Sequence, residues 1–140
     1  MATLIPTTDL GMATLLTDSF KTVPLLAGTA PTVTTDEVVA DAVAAAGLPA
    51  FSVVGFDSSG KLVKATYNAT PASGVPAIGI TTAAVVAGAT AKNVSIFRDG
   101  VFNMDALIWD SSYDTDAKKK AAFEYAGKGI FIKKAAYPQP

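Results

Sequence analysis

The chain of 140 residues has no cysteine and no histidine. Disulfides and thiolate chemistry are therefore excluded, as are histidine-ligated metals and histidine general bases. Charge is sparse: 16% of residues are charged and the formal net charge is −1. No basic stripe runs along the sequence, so the electrostatic footprint of a nucleic-acid binder is missing. Lys118-Lys119-Lys120 is the only basic run. It lies among Asp114, Asp116 and Glu124 and reads as a solvated helix face. From Ala65 to Ala91 there is no charge at all. Pro71, Pro76 and three glycines in that stretch argue against a membrane span, because a lipid-exposed helix must satisfy its own backbone. The N-terminus has no basic region, and Asp9 interrupts it early, so it does not read as a signal peptide.

What remains is apolar: half of the residues are hydrophobic, and mean hydropathy is +0.37. Alanine and valine supply much of this. The length fits one domain with a modest core. Two readings fit the low charge, an oligomer that buries surface against other copies and an alanine-rich monomer.

Residues 1 to about 31 are rich in threonine, leucine and proline with no sustained period. Such a stretch buries little by itself. It is expected as an extended arm, disordered in the free protein, or else as an N-terminal strand packed on its own domain. Thr34 to Gly47 is also open. Thr35 can cap a helix with Val39, Val43 and Ala46 on one face, or Val38-Val39 can form a short strand.

Beyond Ala50 the pattern is β. Phe51–Val54 and Lys61–Lys64 flank an Asp57-Ser58-Ser59-Gly60 turn. Ala77–Ile80 reads as a short buried strand, with Gly79 allowing close backbone approach. Asn93–Phe97 is another strand. Asp99-Gly100 is expected to turn the chain, with Val101-Phe102 returning as a hairpin. Asn103 then caps a short helical turn in which Met104, Leu107 and Ile108 have i, i+3, i+4 spacing and Trp109 ends it. Trp109, the only tryptophan, is expected to plug the small core. A second helix starts at Asp114 or Thr115 and runs to about Tyr125, burying Ala117, Ala121 and Tyr125. Ile130–Ile132 is the last strand. The fold class is therefore mixed α+β, mostly β: a small β-rich domain with two short helices and an extended N-terminal arm.

Catalytic chemistry finds little footing. No glycine-rich phosphate loop is present. Asp110, Asp114 and Asp116 lack the spacing of a calcium loop and read as helix N-terminal carboxylates. Asp99, Asp105 and Asp110 are the carboxylates that an enzyme would have to use. The serines and threonines have no base to activate them. The expectation is a non-enzyme with no cofactor and no metal.

The ordered series of elements resembles the lambda-type bacteriophage head decoration (capsid-stabilising) proteins. Phe56–Val63 is similar to the family's early hairpin, and Ala77–Ile80 to its Ala-Val-Gly-Ile strand. The likeness is densest from Ser95 to Ile132. It includes Val101-Phe102, Leu107-Ile108-Trp109, Thr115–Phe123 and Ile130-Phe131-Ile132. Leu25–Thr34 is similar to an arm motif of related decoration proteins. The region through Ala50 is longer than lambda's, and the tail after Lys134 is extra.

The resemblance implies a structural protein that binds the major capsid protein on the exterior of the expanded phage head. It implies homotrimers at three-fold positions, holding the shell against the pressure of packaged DNA. Neither nucleic acid nor membrane is an expected partner. The place is the outer surface of the virion, assembled in the host cytoplasm. The division that follows is a capsid-binding arm over residues 1–35, a core over 36–134 and a tail over 135–140. Leu25, Leu26, Pro31 and Val33 are the expected arm contacts. Gly79, Phe102, Leu107 and Trp109 mark the core. The alternative from another class is a fibre- or adhesin-type β module that binds a host surface.

Overall fold

The computed structural model describes residues 23–67, 74–124, 126 and 129–134. Its strands in chain order are β1 (Thr34–Ala40), β2 (Ala42–Val43), β3 (Val53–Phe56), β4 (Lys61–Lys64), β5 (Gly79–Thr81), β6 (Lys92–Asn103) and β7 (Ile130–Lys133). They form one sheet in the order β1-β6-β5-β3-β4-β2, with β7 also paired to β6. Most neighbours are antiparallel, but β7 runs parallel to β6 and β2 parallel to β4.

The central strands of the sheet are covered on both faces. Val53 belongs to a cluster with Ile80, Phe102, Met104, Leu107, Tyr113, Phe123, Ile130 and Ile132. Val54, the next residue, belongs to a second cluster with Ala40, Val43, Leu48, Leu62, Val94 and Ile96. Successive strand side chains point to opposite faces, so two covered faces explain the unbroken apolar run Val53-Val54. Phe102 is fully buried, which is worth about 1.5–3 kcal/mol of transfer free energy.

The Asp57–Gly60 turn forms as its residue types dictate. Asp57 Oδ1 accepts the N–H groups of Ser59 at 2.9 Å and Lys61 at 3.0 Å. Gly60 takes φ +77°, a left-handed conformation that glycine adopts without penalty.

One open reading is decided and three expectations need correction. The open stretch after Thr34 is strand: β1 pairs with β6 from Thr34↔Asp99 to Ala40↔Lys92. A short helix there would have only its own backbone bonds, whereas β6 offers a full ladder. Asp99-Gly100 is not a turn. β6 passes through it as one strand of twelve residues. Partners change there instead: the ladder with β1 ends at Asp99, and the ladder with β7 begins at Gly100. Tertiary pairing thus overrides the local Asp-Gly preference.

The two short helices are also not as expected. Met104–Ala106 is a single 3-10 turn, capped by Asn103, whose side chain accepts the Asp105 N–H. Ile108 is drawn away from it, because its N–H bonds Phe51 O at 2.9 Å and its carbonyl accepts Val53 N–H at 3.1 Å. The other helix spans only Asp116–Lys120 and buries none of its residues. Thr115 caps it, its hydroxyl accepting Lys118 N–H at 3.3 Å. The chain then leaves the helix, and Ala122 and Phe123 enter the core in place of Ala117. Tyr125 lies outside the described residues.

Candidate capsid-facing surface

The first described residues lie along β6. Ala27 N–H donates to Val101 O at 2.9 Å, and Asn103 N–H donates to Leu25 O at 2.7 Å. Asn103 Nδ2 also donates to Pro24 O at 3.0 Å. Leu25 and Val33 pack against the larger core cluster. Leu26 bridges Phe102 through its backbone, yet its side chain is 43% exposed. Val23 and Pro31 are exposed as well. The four expected arm residues thus divide into two that face inward, Leu25 and Val33, and two that face solvent, Leu26 and Pro31. The expected arm–core boundary at 35/36 falls inside β1.

The four core residues also differ among themselves. Phe102 and Leu107 are buried. Gly79 is buried where β5 crosses β6: a Cβ there would stand 2.6 Å from Ile96 Cδ1 and 2.9 Å from Phe97 O. Trp109 is half-buried at the rim of the core rather than at its centre. Its indole N–H donates to Met104 O at 2.9 Å, and its ring lies 5.1 Å from that of Tyr113. A half-exposed indole with its N–H satisfied is the arrangement expected for an amphipathic ring.

The carboxylates that an enzyme would use are engaged separately. Thr34 Oγ1 donates to Asp99, which ties β1 to β6. Asp110 Oδ1 accepts Ser112 N–H at 3.0 Å. Asp105 is exposed on the 3-10 turn. Burial, and then the nearby Asp110 carboxylate, push the Tyr113 phenol up to about 12. Lys118 holds Asp114 below the usual carboxylate range through a hydrogen bond. Among the described residues, no group of three acidic side chains could hold a metal ion. No described helix is long and apolar enough to cross a membrane.

Against this background, the family model for the bacteriophage lambda head decoration protein D matches residues 15–130. The chain belongs to the lambda head decoration protein family. No curated protein matches the chain. Membership makes it a structural protein of a bacteriophage, with a capsid decoration role and a place in the virion. The match runs through all seven strands but β7, of which it reaches only Ile130.

Sequence reasoning missed two features of this decoration domain. One is the double use of Asn103, which caps the 3-10 turn and also holds Pro24. Its capping role was legible, its long-range partner was not. The other is a buried polar knot. Ser52 Oγ and Thr81 Oγ1 both donate to Pro49 O, at 2.7 and 3.0 Å, and Thr81 Oγ1 accepts Ser52 N–H at 2.9 Å. Nothing in the local pattern marks such a cluster.

Proposed function

We propose that this protein binds the exterior of the expanded phage head as homotrimers and stabilises the shell against the outward pressure of packaged DNA. Its partner is the major capsid protein, and the N-terminal region, residues 1–35, makes the attachment. Leu26 and Pro31 present the contact surface, while Leu25 and Val33 root it to the core.

The observation that carries this reading is the placement of Leu26 in a chain of the decoration family. Its backbone is fixed to Phe102, and its side chain is left 43% exposed. Exposed Val23 extends the apolar surface toward the N-terminus. Three such segments on one trimer act multivalently, so modest contacts add up to firm attachment. The low charge of the chain suits close packing between copies and on a shell.

Truncation tests the attachment. Removing residues 1–22 leaves every described contact in place and is expected to weaken binding to expanded heads. Removing residues 1–35 is expected to abolish it. Normal binding by both truncated proteins would overturn the arm assignment.

A further inference from the structure

β1 and β7 carry matching outward surfaces. In β1, Val38 packs on the smaller core cluster and Ala40 is part of it. Glu37 and Val39 therefore face outward together, and Val39 is 63% exposed. Across the ladder they meet only Ser95 and Asn93, which are exposed and uncharged. In β7, Ile130 and Ile132 are buried, so Phe131 and Lys133 face outward, and Phe131 is 51% exposed. Phe131 and Lys133 line an open groove with Lys120, Phe123 and Glu124. Each strand thus presents one large apolar side chain and one charge, two residues apart. The two charges are opposite.

Residues i and i+2 of a strand are separated by roughly 6.6 Å, so the two pairs have the same span. When Val39 of one copy lies on Phe131 of another, Glu37 comes within reach of Lys133. Among the described residues the one ion pair is Lys118–Asp114, so both charges are available. Lys120 adds a second base to the groove beside Lys133, against the single acid Glu124. The two surfaces belong to different strands on β6, so the contact is heterologous. Heterologous contacts close into rings when the rotation permits.

We infer that the Glu37–Val39 face of one copy docks on the Phe131–Lys133 face of the next, and that three such contacts close the trimer. This rests on the homotrimer reading of the proposed function and names the surfaces that would build it.

The absence of cysteine allows a direct test. The double variant Val39→Cys/Phe131→Cys is bound to expanded heads and mildly oxidised. Head binding is scored separately by sedimentation. The expected result is a covalent trimer on non-reducing gels, with neither single variant cross-linking. Bound protein that stays monomeric overturns the inference and leaves the decoration reading standing. Thiols that are protected from alkylation yet uncross-linked would assign the surface to coat protein instead. Dimers from either single variant would overturn it in favour of a two-fold contact. Charge reversal supplies a second readout on the same variant background. Glu37→Lys or Lys133→Glu alone should cut the trapped trimer by about two- to five-fold per contact, and the combination should restore it. No loss from either reversal would also overturn the pairing.

Discussion

Asn103 Nδ2 donates to the Pro24 carbonyl at 3.0 Å, across 79 positions of sequence. Asn103 is fully buried, and its Oδ1 accepts Asp105 N–H at 3.2 Å. One side chain therefore ties the N-terminal segment to the end of β6 and caps the turn that follows. Asn103→Ala would remove both of these part-buried hydrogen bonds and leave a small cavity where the amide was packed. The expected loss is about 2 kcal/mol in denaturant unfolding. Hydrogen exchange of the Ala27 amide, which bonds Val101 O, should also accelerate. Unchanged exchange at Ala27 would show that Asn103 does not fasten the segment.

Trp109 makes its contribution from the rim. Its ring packs on Tyr113, its N–H bonds Met104 O, and Lys119 Nζ stands 6.0 Å from the ring centroid. Half-burial places Trp109→Ala below the usual cost of a fully buried tryptophan, at about 2–3 kcal/mol. Trp109→Phe keeps the packing and loses the hydrogen bond, so it should cost about 1 kcal/mol. Equal losses for the two variants would contradict this division.

Gly79 is required by space. A methyl group there would press on Ile96 Cδ1 and the Phe97 carbonyl. The side chain can give way more easily than the backbone. Gly79→Ala should destabilise by about 1–3 kcal/mol through displacement of β5 from β6. A gain in stability from this substitution would mean that the strand crossing is looser than described.

Tyr113 makes alkaline stability dependent on one phenol. Its pKa is raised from 10.0 to about 12, first by burial and then by Asp110. The folded state therefore favours the neutral form. That preference is fully present below pH 10 and is lost as pH rises toward 12. Ultraviolet titration should show Tyr113 ionising near 12 and not near 10. Tyr113→Phe should remove that part of the alkaline decline. A titration in which every tyrosine ionises near 10 in the folded protein would contradict the burial.

Local chemistry made some elements legible and tertiary pairing hid others. The Asp57–Gly60 turn and β4 depend on residues within a few positions, and the sequence pattern located them; it narrowed the helix cap to Asp114 or Thr115, of which Thr115 is the one. β1 did not follow from its own residues, because Thr35-Asp36-Glu37 is also a good helix start. The ladder with β6 decides it. Asp99-Gly100 failed for the same reason: β7 arrives from 30 residues later to pair from Gly100↔Ile130 onward. Met104, Leu107 and Ile108 share a helical spacing, but Ile108 is 38% exposed and bonds the Phe51–Val53 segment instead. At the candidate surface, apolar Leu25 and Leu26 were legible as a pair. Which of them faces solvent depends on the distant Phe102 and Asn103.

Attachment of the protein is expected to be selective for a mature shell. Purified protein mixed with expanded and with unexpanded heads, then sedimented, tests it most directly. Saturable co-sedimentation with expanded heads and none with unexpanded ones is expected. Protein that stays in the supernatant with both, or pellets equally with both, would contradict it.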